Sequence, residues 1–305
     1  MSEPHAELLG EVRPAAFAIA YRMLGSVAEA EDVVQEALLR LHSALESGER
    51  IESPRAYLST VTTRLSIDVL RSARVRRESY VGEWLPEPLV SDPTDDPARH
   101  AEMADSLSLA FLVLLESLSP EQRAVFLLHD VFEYGYGEVA EIVGKSEATA
   151  RQLATRARRH VEEQRPRFES SREERAELAR RFFAAAQQGD VASLEALLAE
   201  DVALHGDGGG KVPALARALF GRNRVARTIG AWFRQTKKVP EFELRHIEVN
   251  GQPGAMLMAG GRVGSVMALD IADGQVQGIR SVVNPDKLGH LGEVADVKPY
   301  LTRRG

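Results

Sequence analysis

In KSEATARQLATRARRH, Arg151, Gln152, Thr155 and Arg156 recur at helical spacing, and their side chains are ones that address nucleic-acid bases. Arg pairs with the O6/N7 edge of guanine and Gln with the N6/N7 edge of adenine, each through two hydrogen bonds, while hydroxyls serve either base. Ser146 and Thr149 open the same stretch and Arg158 and Arg159 close it, where a guanidinium suits a phosphate. A solvated basic face is the plainer reading; the arginine run and the small residues Ala140 and Gly144 just before it favour DNA. A second group, His205, Asp207, Lys211, His246 and Asp286, holds the types needed for acid/base work if the fold brings them together. Both histidines lie on apolar-rich strands, where a structural histidine is the commoner outcome, so catalysis is not expected. No pair of histidines has metal-ligand spacing and the chain has no cysteine, so neither a metal nor another cofactor is expected. Asp207-Gly208-Gly209-Gly210-Lys211 lacks the first glycine and the trailing hydroxyl of a nucleotide loop, and its glycines read instead as an unusual turn at a pocket mouth.

The elements that must position the base-reading residues form a helix-turn-helix. Val139, Ala140 and Val143 give the first helix an apolar face, Gly144 ends it with a left-handed residue, and Ser146 caps the second. Ala150, Leu153 and Ala157 face inward, and the small alanines let two helices cross closely at roughly 90–120°.

Upstream, Leu8 to Gly25 and Val27 to Ala44 read as two helices. In the second, Val33, Val34, Ala37, Leu38 and Leu41 make an apolar stripe, while Glu31, Asp32, Gln35, Glu36 and Arg40 face away, a surface fit to dock a basic helical partner. After the loop Gly48 to Ser53, Pro54 opens a helix ending in the basic run Arg64, Arg71, Arg74, Arg76 and Arg77, with Tyr57 and Tyr80 as stacking rings for unpaired bases. From Ser79 to Asp96 the periodicity stops. This linker carries Trp84-Leu85-Pro86-Glu87-Pro88, stiffer than a Gly/Ser tether, with a Trp that needs something to pack on. Helical pattern returns at Ala98, and Ser119-Pro120 starts a helix leading into the helix-turn-helix.

These segments resemble a family. AEDVVQEALLRL resembles the polymerase-binding helix of region 2 of the extracytoplasmic-function, group IV, sigma factors of bacterial RNA polymerase. SPRAYLSTVTTRLSIDVLR resembles their −10 helix, and LSPEQRAVFLLHD with YGEVAEIVGKSEATARQLATRAR their region 4. Three such segments occur in the family's order. The resemblance implies that Asp32, Gln35 and Glu36 contact the β′ clamp helices of core polymerase, with the β flap as a second contact. It also implies that the loop holding Arg50 takes the flipped −10 base, with Arg64 beside it and Arg71, Arg74, Arg76 and Arg77 along the backbone. Ser146, Thr149, Arg151, Gln152, Thr155, Arg156 and Arg159 would then address the −35 element. Arg64 stands where some members carry Asn, which bears on base preference at −10.

Beyond Pro166 come two helices and then the strand-like runs VALHG, FELRHIEVN, GAMLMAG, VGSVMALDIAD and QVQGIRSVVN. Asn250-Gly251 and Asp273-Gly274 are tight-turn pairs, so the last four runs should form an antiparallel meander with helices on its concave face, enclosing a pocket. The pattern resembles the SnoaL-like branch of the nuclear-transport-factor-2-like fold, and the whole chain resembles sigma factors ending in that domain. There WLPEP recurs with DGGGK (Asp207, Gly208, Gly209, Gly210, Lys211) and NPDKL (Asn284, Pro285, Asp286, Lys287, Leu288), which the resemblance makes regulatory. The expected fold is therefore multidomain: an all-α region 2 (1–80), a linker (81–104) and an all-α region 4 (105–165), followed by an α+β SnoaL-like cone (167–305) acting in place of a separate anti-sigma protein. A free-standing regulator, or a SnoaL-like cyclase or isomerase with a DNA-binding appendage, is the alternative, and an unknown small molecule in the pocket stays open.

Composition bounds these readings. The 305 residues are 44% hydrophobic with a formal net charge of −7, too acidic for a chain that holds DNA by counterion release alone, so another molecule must supply much of the grip. No apolar window of about 18 residues and no secretory leader are evident, and a reducing cytoplasm is the expected setting.

Overall fold

Ser26 begins helix α2 by accepting a hydrogen bond from the Glu29 amide at 3.2 Å, which separates α1 (Glu3–Leu24) from α2 (Val27–Glu46) at the Gly25-Ser26 junction between the two expected helices. With α3 (Pro54–Glu78) they pack around Met23, Leu24, Val34, Leu41 and Leu58, all buried. The structure, a computed structural model, describes residues 3–78, 80–91, 107–163 and 171–301, the side chains of 3–7, 73–78 and 301 excepted. The expected helix start at Ala98 and the limits drawn at 104/105 and 165/167 lie outside those residues. The chain forms two units, Met1–Glu78 with Leu114–Arg165, and Ser79–Val113 with Pro166–Gly305.

In the first unit Ser119 and Gln122 cap each other's backbone amides at 3.2 and 3.0 Å, with Pro120 in the first helical position. The helix Pro120–Phe126 runs on through a π-turn, Leu127–Val131, to the helix-turn-helix pair Tyr136–Val143 and Glu147–Glu162. Gly144 ends the first of these at φ 65°, and the Ser146 hydroxyl caps the second. The buried face of the first helix is Val139, Ala140 and Ile142 rather than Val143, and that of the second is Ala150, Ala154, Ala157 and Val161, with Leu153 half-buried. The alanines fit the close crossing, and Val143 is half-buried. Arg123 ties the halves of this unit together. It is 2% exposed and donates to the carbonyls of Leu115 (2.9 Å) and Met23 (2.6 Å) while pairing with Glu116 at 2.7 Å. Burial pulls its pKa down to about 9, which leaves it charged at neutral pH.

The second unit is a seven-stranded sheet in the order β1-β4-β5-β6-β7-β2-β3, formed by β1 (Val90–Ser91), β2 (Leu198–Asp207), β3 (Leu219–Phe220), β4 (Phe242–Val249), β5 (Gln252–Ala259), β6 (Arg262–Ala272) and β7 (Gln275–Val282). Strands β4 to β7 are the expected meander. Asn250-Gly251 and Asp273-Gly274 turn it with positive φ at both residues, and Gly260-Gly261, not singled out above, makes the third turn in the same way. Strand alternation gives the sheet two buried faces. Met267, Leu269, Ile271 and Ile279 meet Phe182, Phe183 and Phe233 of the helices Arg172–Gln188 and Arg222–Thr236. Val249, Val266, Ala268 and Val282 meet Leu85, Leu109 and Leu288 on the other side. Covering of both faces is why β6 reads as a nearly unbroken apolar run rather than an alternating one.

Candidate nucleic-acid interface and linker clamp

The recognition helix leaves its polar face open. Arg151, Gln152, Thr155, Arg156 and Arg159 are exposed, as is Ser146, with Thr149 half-buried beside it. Arg151 is pre-oriented: it pairs with Glu147 at 2.5 Å, and its guanidinium stands 4.4 Å from the centre of the Tyr136 ring. Arg158 is not on this face. It pairs with Asp130 and donates to the Tyr136 hydroxyl at 2.9 Å, so it braces the two helices.

Asp32, Gln35 and Glu36 are exposed together on α2, with Glu36 held by Arg40 at 2.8 Å. Leu39, one turn on, is 54% exposed in the same row. It shares the i, i+3, i+4, i+7 row with Asp32, Gln35 and Glu36, so a partner meeting that face would also meet an apolar side chain. On α3 the basic residues have protein partners. Arg64 donates to the carbonyls of Ile142 and Glu141, both at 2.9 Å, closing the C-terminal end of the first helix of the helix-turn-helix. Arg71 pairs with Glu121 at 2.6 Å, a contact that raises the Arg71 pKa and lowers that of Glu121. Arg50 is exposed in its loop. The side chains of Arg74, Arg76 and Arg77 lie outside the described residues.

The linker is held along its length. Asp207 at the end of β2 is fully buried, and it accepts from the Tyr80 hydroxyl (2.6 Å), the Leu85 amide (2.8 Å), the Gly209 amide (3.0 Å) and Lys287 (2.7 Å). Lys287 also donates to the Leu85 carbonyl and stands 4.4 Å from the Trp84 ring centre and 4.9 Å from that of Tyr80. The Asn284 amide donates to the Tyr80 hydroxyl at 2.9 Å. Tyr80, expected to stack on bases, is therefore part of the clamp. Burial first, and the bond to Asp207 second, push its phenol well above its ordinary pKa. Pro86, Glu87 and Pro88 are buried, and His290 donates to the Pro88 carbonyl at 2.8 Å. Asn250 exchanges bonds with the Leu89 amide and carbonyl and donates to the Leu107 carbonyl, while Val90 and Ser91 pair with Val249 and Glu248 as an edge strand.

The glycines of DGGGK are explained by this clamp. A Cβ on Gly208 would lie 2.1 Å from the Val212 carbonyl oxygen, one on Gly209 2.3 Å from the Asn284 amide, and one on Gly210 3.0 Å from Val81. The turn thus seats the linker and Asn284 instead of forming the pocket mouth, because strand alternation sends Asp207 to the face opposite the cavity. Gly206 just before it, and Pro213, Ala214 and Leu215 just past it, line the cavity, while residues 207–211 do not. Lys211 and Asp286 form an exposed pair at 2.6 Å, and Pro285 starts the short turn that places Lys287.

The acid/base candidates do not converge. His205 pairs with linker residue Glu83 at 2.6 Å, and Asp207 is bound as described. His246 stacks edge-on with Phe183 at 5.7 Å, its pKa lowered by partial burial and then by Arg180. None of the five lines the cavity of about 560 Å³ between the helix Arg222–Thr236 and the sheet. Among the described residues no cluster of His, Asp or Glu has the makings of a metal site, and no helix is long and apolar enough to cross a membrane.

A three-helix region with an acidic face on one helix and basic residues on the next, followed by a helix-turn-helix, is the arrangement expected of a bacterial sigma factor. Comparison with known proteins agrees: residues 8–76 match Sigma-70 region 2, residues 108–161 match Sigma-70, region 4, and residues 179–280 match the SnoaL-like domain. The chain is 41% identical over 280 residues to the ECF RNA polymerase sigma factor SigJ of Mycobacterium tuberculosis, covering 88% of both chains. It is 34% identical over 276 residues to the probable ECF RNA polymerase sigma factor SigI of the same organism, covering 90% of this chain and 91% of the relative. The crystal structure of Mycobacterium tuberculosis SigJ superposes with a TM-score of 0.74 at 36% identity, over 93% of this chain and 98% of that one. The chain belongs to the extracytoplasmic-function RNA polymerase sigma factors, in the form that carries a C-terminal SnoaL-like domain.

Proposed function

We propose that this sigma factor directs core RNA polymerase to its promoters under control, in cis, of its own C-terminal domain. The observation that carries the control is the clamp: the segment joining region 2 to region 4 in sequence is bound to the C-terminal domain through buried Asp207 and Lys287. A linker so held has fixed ends at residues 80 and 107, which biases how far regions 2 and 4 can separate to reach −10 and −35 together. Asp32, Gln35, Glu36 and Leu39 dock on the β′ clamp helices and region 4 on the β flap, and the setting is the bacterial cytoplasm. Arg50, Arg64, Arg71, Arg74, Arg76 and Arg77 serve the −10 element. Arg64, spent on the helix-turn-helix here, reaches DNA once that contact opens. Ser146, Thr149, Arg151, Gln152, Thr155, Arg156 and Arg159 serve −35. The C-terminal domain works as a regulator rather than an enzyme, a reading supported by the dispersal of His205, Asp207, Lys211, His246 and Asp286.

Two experiments test this reading. Asp32→Ala with Glu36→Ala should abolish pull-down of core polymerase while circular dichroism stays unchanged; normal pull-down would refute the docking face. Deleting residues 284–288, which removes Lys287 from the clamp, should change transcription by the reconstituted holoenzyme, and unchanged transcription would refute control through this segment.

A further inference from the structure

The cavity of the C-terminal domain is built like a site for a small molecule. Trp232, Phe242, Leu257 and Met267 give it an apolar wall, and its volume of about 560 Å³ falls in the range of drug-sized ligand sites. Ser265 and Ser281, 8% and 4% exposed, line it from β6 and β7, and neither hydroxyl has a hydrogen-bond partner among the described residues. Open to the cavity and unbonded within the described protein, the two hydroxyls on an apolar wall are placed to bond an occupant with polar atoms. Arg227 lines the cavity at its exposed side with no ion partner among the described residues, and Gln235 of the same helix also faces in. Among the described residues no carboxylate and no histidine lines the cavity to compete for that cation.

The walls of this cavity are also the back of the clamp. Gly206 lines the cavity while Asp207, next in the strand, points to the other face and holds the linker. Ser281 and Val283 line it, Val282 packs in the outer core, and the amides of Val283 and Asn284 bond the Asp207 carbonyl at 2.8 and 3.0 Å. A displacement of either wall strand by an occupant moves the residues that grip Tyr80 and Leu85.

We propose that this cavity is an effector site for an apolar, ring-bearing small molecule with an anionic end, the anion at Arg227 and a hydrogen-bonding group at Ser265 and Ser281, and that its occupancy is read by the linker clamp. The proposal rests on the control in cis argued above.

The test uses the full chain, with anilinonaphthalene sulfonate as the anionic ring-bearing probe and N-phenylnaphthylamine as its neutral counterpart, followed by fluorescence titration and by hydrogen exchange of the linker amides. Saturable binding of one sulfonate per chain is expected. Ala231→Phe, which fills the cavity, should abolish binding of both probes. Arg227→Gln, on the exposed rim and outside the core, should weaken the sulfonate about tenfold and leave the neutral probe unchanged. Occupancy should change exchange at Leu85 and its neighbours at least threefold. Absence of saturable binding, binding that survives Ala231→Phe in a folded variant, equal effects of Arg227→Gln on both probes, or unchanged linker exchange at saturation would each overturn the effector site. Unchanged exchange in a chain whose transcription still responds to clamp substitutions would refute the effector alone and leave control in cis standing.

Discussion

Lys287 Nζ lies 2.7 Å from Asp207 Oδ2, and the two side chains are 8% and 0% exposed, so the junction between linker and C-terminal domain is a buried ion pair. Such a pair adds little over an apolar replacement of equal shape, but losing one partner strands a charge. Lys287→Ala is therefore expected to destabilise the domain by about 3–5 kcal/mol in urea unfolding. Adding Asp207→Asn should return part of that loss. A double variant whose loss equals the sum of the single losses would mean that the two charges are not coupled.

Arg151 and Arg159 sit on one helix but are expected to fail differently. Arg151, pre-oriented by Glu147 and the Tyr136 ring, is proposed to read a base edge; on that reading Arg151→Ala should cost about 1–3 kcal/mol and relax preference at one base pair. Arg159→Ala should weaken binding to all −35 variants alike and flatten the salt dependence. Binding titrations over a panel of −35 variants at two salt concentrations check this. Uniform and equal losses for both would misplace the reading face.

Tyr80 gives the clamp an alkaline limit. Its phenol is held neutral by burial and by the bond to Asp207. A folded pKa raised above the unfolded value of about 10 contributes stability that is fully present below about pH 10 and lost as pH rises toward the folded value. Unfolding free energy of the second unit should fall more steeply above about pH 10 in the wild type than in Tyr80→Phe, which has no phenol to ionise. Tyr80→Phe should itself cost about 1.5–3 kcal/mol at neutral pH through the lost bond to a carboxylate. Parallel alkaline profiles would show that Tyr80 is not the group responsible.

The helical half and the meander were legible because each carries local signals: Gly144 and Ser146 at the turn, Ser119-Pro120 at a cap, Asn250-Gly251 and Asp273-Gly274 between strands. The motif residues of the clamp were legible as a set, but what they do was not. Asp207 and Lys287 are 80 positions apart and meet because β2 pairs in parallel with β7, a long-range register that no local spacing announces, and Tyr80 reaches Asp207 from the linker 127 positions away. The two-residue strand Val90–Ser91 was missed for a related reason, since only its partner Val249 on β4 makes it a strand. The unbroken apolar run of β6 did hint at a second covered face, and the linker is what covers it.

The most direct test of control in cis is single-round transcription by core polymerase reconstituted with wild type, Trp84→Ala, Lys287→Ala and the double variant. Lys287 stands 4.4 Å from the Trp84 ring centre and holds the adjoining backbone, so both substitutions loosen one clamp. The account predicts that each single variant changes promoter output in the same direction and that the double variant changes it no further than the larger single effect. Four proteins transcribing alike, with core polymerase binding intact, would contradict it.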